Sequence, residues 1–354
     1  MNPPITPLAT APVFVSAGDF ALAEELPQQP MFTVQDVNQN GVYDMEDLLS
    51  ASPLGVTAAA DLLVRAVDAS PSVRAVTIGH PHKLMPPEVT LHAIARLSGE
   101  GHNPALCLEY DADDLKGPAK KVAKLSPQEL SLVLEAKGDV SQLSPDIRNA
   151  YEKVKEGLES AYDRAYEGEY TLNPAVLKQD ADALMYKLAH CAKYSVPVVF
   201  IDEIPTNSIR EENGAIQQVP YRDAGMAINI CQHDGASLED GQQYLYVIEV
   251  GALHAANDVI EGQGTFEAAN MAGRKTLAEC LSDPRIFGDD GVMTFKMVSD
   301  PELLLAKVNA GMISPTTMRA ELYPFEGYDR ESDADNYPYQ TWDHVVRLNE
   351  TVSY

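Results

Sequence analysis

The chain has 354 residues, with 53 acidic against 26 basic side chains and a formal net charge of −27. So negative a surface repels both the nucleic-acid backbone and an anionic membrane face, which argues against either as a partner. The hydrophobic share of 45% and the charged share of 22% are ordinary globular values, so the chain as a whole is not disordered. At about 150 residues per domain the length fits two domains, or one large α/β domain with insertions.

Residues 1–30 read as a flexible leader. Met1 to Pro12 carries no Lys or Arg and lacks the basic start and apolar core of a Sec signal. No apolar run approaches the roughly 18 residues of a membrane helix. The expectation is a cytoplasmic protein, or one exported without a Sec signal. Cys107, Cys191, Cys231 and Cys280 are scattered with no CxxC pair. They read as free, mostly buried thiols, which suits a reducing compartment.

Residues 31–56 form an extension built on a twelve-residue acidic loop. Oxygen ligands fall at its first, third, fifth, ninth and twelfth positions: Asp36, Asn38, Asn40, Asp44 and Asp47. Gly41 stands at the sixth position, where the chain must turn sharply, and Val42 offers its carbonyl at the seventh. That spacing fits a structural calcium loop. Its last ligand is Asp rather than Glu, a variant similar to dockerin-type loops. The plainer reading is an Asx-rich turn capping the helix at Met45–Leu49.

From residue 57 the pattern is one α/β domain. A helix is expected over Thr57–Ala69, with Leu62, Leu63, Ala66 and Val67 on one face. The β-branched run Ser72–Ile78 reads as a strand, Glu88–Leu97 as a helix, and Ala105–Glu109 as a buried strand. A helical insertion at about 111–195 follows. Its helix starts are marked by the capping box Ser126-Pro127-Gln128-Glu129, by Ser144-Pro145 and by Asn173-Pro174. Within it the charge-rich segment Ile147–Tyr166 is expected to lie on the surface. Strands are expected at Val196–Ile201, Tyr244–Val250 and Val292–Val298. Helices are expected at Tyr221–Cys231, at Phe266–Leu281 and from Asp300-Pro301. The acidic run Asp329–Asp335 reads as a solvated loop and Trp342–Leu348 as an edge strand. Short apolar strands alternating with helices give a mainly parallel central sheet flanked by helices.

In open α/β sheets ligands bind outside the carboxyl ends of the strands. Those ends read Gly79-His80-Pro81-His82, Glu109-Tyr110-Asp111, Asp202-Glu203 and Gly251-Ala252-Leu253-His254. Imidazole and carboxylate converging at one sheet edge can activate water and hold a developing oxyanion. They also suit a metal with an open coordination position. A single histidine at a strand end more often caps a helix or bonds a carbonyl, so the weight lies in the recurrence. His92, His102, His190, His233 and His344 read as structural or surface residues, and Met226 and Met271 as core.

The order of these motifs resembles the superfamily that holds the TraB/GumN, ChaN-like, erythromycin-esterase-like and TIKI proteins. The matching residues are Gly79-His80-Pro81-His82, Leu108-Glu109, Arg222-Asp223-Ala224-Gly225-Met226-Ala227 and Gly251-Ala252-Leu253-His254. The resemblance spans about residues 72–258. It implies a hydrolase of an amide or ester bond, with His80, His82, Glu109 and His254 as catalytic residues. Glu109 would activate water, or would bind a divalent transition metal with His80 and His82, and His254 would donate to the oxyanion or leaving group. Arg222 and Tyr110 would contact a small-molecule or peptide substrate, with Arg222 and Asp223 paired on the flanking helix. The family's first Glu is replaced here by His80, which offers no carboxylate. That departure keeps open a non-catalytic ligand- or haem-binding protein of the ChaN-like type, and the missing Sec signal allows a third reading, a secreted effector whose helical insertion recognises a host protein.

Overall fold

In the computed structural model the described residues are 33–35, 45–80, 85–140, 143–165, 174–202, 222–260, 275–311, 315, 318, 322 and 339–349. The expected leader over 1–30, loop positions 36–44, His82, Met271 and the acidic run at 329–335 all lie outside them.

Six strands form one parallel sheet in the order β3-β2-β4-β1-β6-β8. They are β1 (Ala75–His80), β2 (Pro104–Asp111), β3 (Val198–Asp202), β4 (Leu245–Gly251), β6 (Val292–Ser299) and β8 (His344–Leu348). β5 (Asp258–Ile260) and β7 (Tyr339–Thr341) pair separately and antiparallel. The fold is therefore the α/β architecture expected, with the expected edge strand as β8. β1, β4 and β6 are buried along their whole length, which is why they read as mostly apolar runs and not as alternating patterns, with Glu249 and Lys296 as the charges inside them.

Two apolar layers cover the sheet. On one face Val76, Ile78, Leu106, Leu108 and Val247 pack with α2 (Val56–Asp68), α3 (Pro87–Gly99) and α7 (Pro174–Tyr194). On the other, Cys107, Tyr246, Ile248 and Val250 pack with Met226, Ala227 and Ile230 of α8 (Arg222–Glu239). Each fully buried Leu or Ile contributes about 2 kcal/mol from removal of apolar surface from water.

The insertion between β2 and β3 holds α4 (Ala112–Val122), α5 (Pro127–Glu135), α6 (Pro145–Ala165) and α7. The Ser126–Glu129 capping box is formed. The charge-rich α6 exposes Arg148, Glu152, Glu156 and Glu159, as a surface helix is expected to, and buries an apolar stripe. Ile147, Val154 and Leu158 are fully buried, and Tyr151 and Tyr162 donate to Asp182 and Asp180 of α7 at 2.7 and 2.5 Å. Charge fills the outer positions of a helix whose apolar stripe still faces its neighbours. The expected helix over Phe266–Leu281 is corrected. Thr276 is an N-cap, in a capping box with Glu279, so the helix begins at Leu277; residues 261–274 lie outside the described set. α8 in turn runs eight residues further than expected, to Glu239.

The N-terminal extension is tied to β8. The Val34 N–H donates to the Val345 carbonyl and the Leu54 N–H to that of Arg347, each at 2.8 Å. Arg347 is buried and paired with Asp300, and it donates to the carbonyls of Leu48, Leu49 and Ala51 at the end of the helix Met45–Ser50. Backbone groups that an edge strand would otherwise leave unpaired are thereby satisfied.

Candidate active site at the carboxyl ends of the strands

Five charged or titratable side chains meet where β2, β3 and β4 end. Glu109 is aimed by a register shift in β2. Leu108 pairs with Phe200 and Asp111 with Asp202, so three steps on β2 match two on β3. One extra residue of this kind bends a strand and re-aims its side chains. The Glu109 carboxylate accepts from the Gly251 N–H at 2.6 Å through Oε2. Its Oε1 accepts from Arg222 Nη2, also at 2.6 Å.

Arg222 opens α8 and is the hub. Its Nε and Nη2 donate to the two oxygens of Asp202 at 3.0 and 2.6 Å, a bidentate pair. Nη1 lies 3.3 Å from His254 Nε2. Burial opposes its charge, but Glu109 and Asp202 outweigh that and raise the guanidinium pKa further. The expected Arg222–Asp223 pairing is replaced by two separate ones: Arg222 takes Asp202 and Glu109, while Asp223 takes His254.

His254 lies on α9 (Ala252–Ala255), a single turn that follows β4 directly, with Gly251 as its N-cap. The ring is buried and is held by Asp223 at Nδ1, while Nε2 faces Arg222 and Glu109. Nδ1 is 2.6 Å from Asp223 Oδ1, and Nε2 is 3.6 Å from Glu109 Oε1. Burial pulls His254 toward the neutral form. The negative charges of Glu109 and Asp223 outweigh burial, so its pKa is raised. Asp223 thus orients the imidazole, as the third member of a base–orienter arrangement does. α9 is itself anchored by Thr77, whose Oγ1 donates to the Ala255 carbonyl at 2.8 Å.

Of the residues singled out from the sequence, Glu109, Arg222 and His254 come together. His80 pairs instead with Glu249, at 3.4 Å. Tyr110 packs against the apolar layer that holds α3 and α7. Asp47 is buried in the helix Met45–Ser50. Among the described residues no three His, Cys, Asp or Glu side chains are arranged to hold a metal ion, and no helix is long and apolar enough to cross a membrane. All four cysteines are free. Burial pushes Cys191 up to about 12 and Cys280 up to about 11, far from a reactive thiolate. Sequence reasoning missed Asp202 as a partner of Arg222 and the role of Asp223 toward His254. Asp202 was visible as the polar end of an apolar strand, and Asp223 only as the neighbour of Arg222.

No family model matches the chain, and no curated protein matches it. Three solved structures are similar in part. The type III effector HopBA1 is 14% identical with a TM-score of 0.33, covering 82% of this chain and 94% of that one. A variant of the erythromycin esterase EreC in its open conformation is 9% identical with a TM-score of 0.31, covering 68% and 73%. A Bacillus cereus protein is 10% identical with a TM-score of 0.29, covering 71% and 73%. At such identities and scores these similarities assign no activity.

Proposed function

We propose that the protein hydrolyses an ester or amide bond at the Asp223–His254–Glu109 chain. The observation that supports this is a buried histidine bonded to Asp223, with the Glu109 carboxylate close to its other nitrogen, at the carboxyl ends of the strands. In this mechanism Glu109, fixed by the Gly251 N–H and by Arg222, draws the proton from the attacking water. His254, held by Asp223, donates to the oxyanion or the leaving group. Arg222 is already engaged by Asp202 and Glu109, so its part is to set the position of Glu109 rather than to capture an anionic substrate. His82 and a divalent transition metal belong to a metal-assisted version of the same reaction.

The test is a panel of chromogenic esters and aryl amides, assayed with chelator and with added zinc. Glu109→Gln and His254→Asn should each lower turnover by at least about 100-fold, the usual weight of a positioned acid or base. Full activity in both variants would sink the assignment. A Soret band on haem addition to a protein that hydrolyses nothing would favour the ligand-binding alternative.

We also propose that the loop Asp36–Asp47 binds calcium through Asp36, Asn38, Asn40, Val42, Asp44 and Asp47. The anchoring of both flanks to β8, at Val345 and Arg347, supports a structural role that fixes the extension.

A further inference from the structure

A second buried charge cluster lies behind the first. Glu249 stands on β4, two residues before Gly251. It is register-paired with Ile78 and Leu108 of the α7-facing layer. Lys187 of α7 donates to its Oε1, and His80 Nε2, at the end of β1, lies 3.4 Å from the same oxygen. The Glu249 side chain is 4% exposed and those of Lys187 and His80 are 12% and 11%. Its Oε2 is buried without a hydrogen-bond partner.

Packing does not call for a charge here. The register partners of Glu249, Ile78 and Leu108, are apolar members of the α7-facing layer, as are Leu184 and Leu188 near Lys187 in the sequence of α7. An apolar residue of similar size would avoid stripping water from an ion pair, and what a buried pair offers in return is a fixed geometry. The geometry that this pair can fix is that of the candidate active site. His80 is the register partner of Gly251, and the Gly251 N–H is the donor to Glu109. No loop separates the end of β4 from the turn that carries His254. A slip of that strand end would displace the Glu109 donor and His254 together.

We propose that Lys187, Glu249 and His80 are positioning residues, which pin the end of β4 from the opposite face of the sheet so that the Gly251 N–H stays on Glu109. This rests on Glu109 and His254 being the reaction centre. None of the three would touch substrate. Their contribution passes through the β4 backbone.

Amide hydrogen exchange by NMR on the full chain tests it without any activity assay. Gly251 is followed against Val247 and Ile248, deeper in the same strand. In Glu249→Gln and Lys187→Met the Gly251 amide should exchange faster by about tenfold or more relative to those two. Its proton should move upfield, as in Glu109→Gln, while Lys187→Arg keeps wild-type behaviour. If Lys187→Met does not fold, His80→Leu, which leaves the Lys187–Glu249 pair intact, carries the same comparison. Gly251 unchanged relative to Val247 and Ile248, whether all three stay put or accelerate together, overturns the proposal. A Gly251 amide that ignores Glu109→Gln overturns the Glu109 geometry and the proposal with it. A response to Glu109→Gln but to none of the other variants overturns the positioning role alone.

Discussion

Replacing Arg222 by Met would test whether the site is held together by one guanidinium. In the native protein Arg222 matches Asp202 through two hydrogen bonds and Glu109 through one, and the two carboxylate side chains are 4% and 6% exposed. Removing one partner of a buried pair costs about 3–5 kcal/mol, because the remaining charge is left without compensation. The Arg222 side chain is 24% exposed, so water can enter the vacated place, and the lower end, about 3 kcal/mol, is expected. Unfolding entropy of about 2.1 cal/mol/K per residue gives about 0.7 kcal/mol/K for a unit of about 320 residues, so Tm should fall by about 4 °C. Calorimetry and urea unfolding at pH 7 would measure both quantities. Adding Asp202→Asn should recover part of the loss, since a neutral amide needs no counter-charge. A Tm within about 1 °C of wild type, or a double variant less stable than the single one, would refute the reasoning.

Three further outcomes are expected. The pKa of His254 is raised above 6.5 in the folded protein, so its contribution to stability is fully present below that pH and is lost as pH rises through the raised value. Urea unfolding from about pH 5.5 to 9 should therefore show the wild-type advantage over His254→Gln shrinking toward alkaline pH; a constant or growing advantage would contradict the pairing. In Gly79→Ala the new Cβ would lie 2.4 Å from Trp342 Cη2 and 3.0 Å from the Ala255 Cβ, an overpacking that costs about 1–3 kcal/mol. Trp342 is the only tryptophan of the chain, so its emission should shift with the loss of stability, and unaltered emission would argue against the close approach. For the loop at 36–47, isothermal titration should show calcium binding that Asp36→Ala abolishes and a rise in Tm with calcium; a wild type that binds none would remove that reading.

The strands were legible because a parallel sheet covered on both faces demands largely apolar, β-branched runs, and Ala75–Ile78, Leu245–Val250 and Val292–Val298 are of that kind. Their carboxyl ends then named Glu109 and His254, and the helix start at Arg222-Asp223 was legible as well. Glu249 and Lys296 are buried charges, and Lys187 is a largely covered one, that an apolar-pattern argument passes over.

What the sequence determined by itself was the set of elements and which residue types stand at the strand ends, since both follow from local periodicity. What only the tertiary structure decided was how those residues pair. Arg222 and Glu109 are 113 residues apart, and their contact depends on which strands lie side by side. A one-residue shift in β2 aims Glu109 at Gly251 and Arg222. His80, two residues beyond the end of the same apolar run that places Val76 and Ile78 in the α7-facing layer, goes to Glu249. The net charge of −27 is a property of the whole sequence. The charges that matter to the site are balanced locally, in buried pairs whose partners come from different elements of the fold.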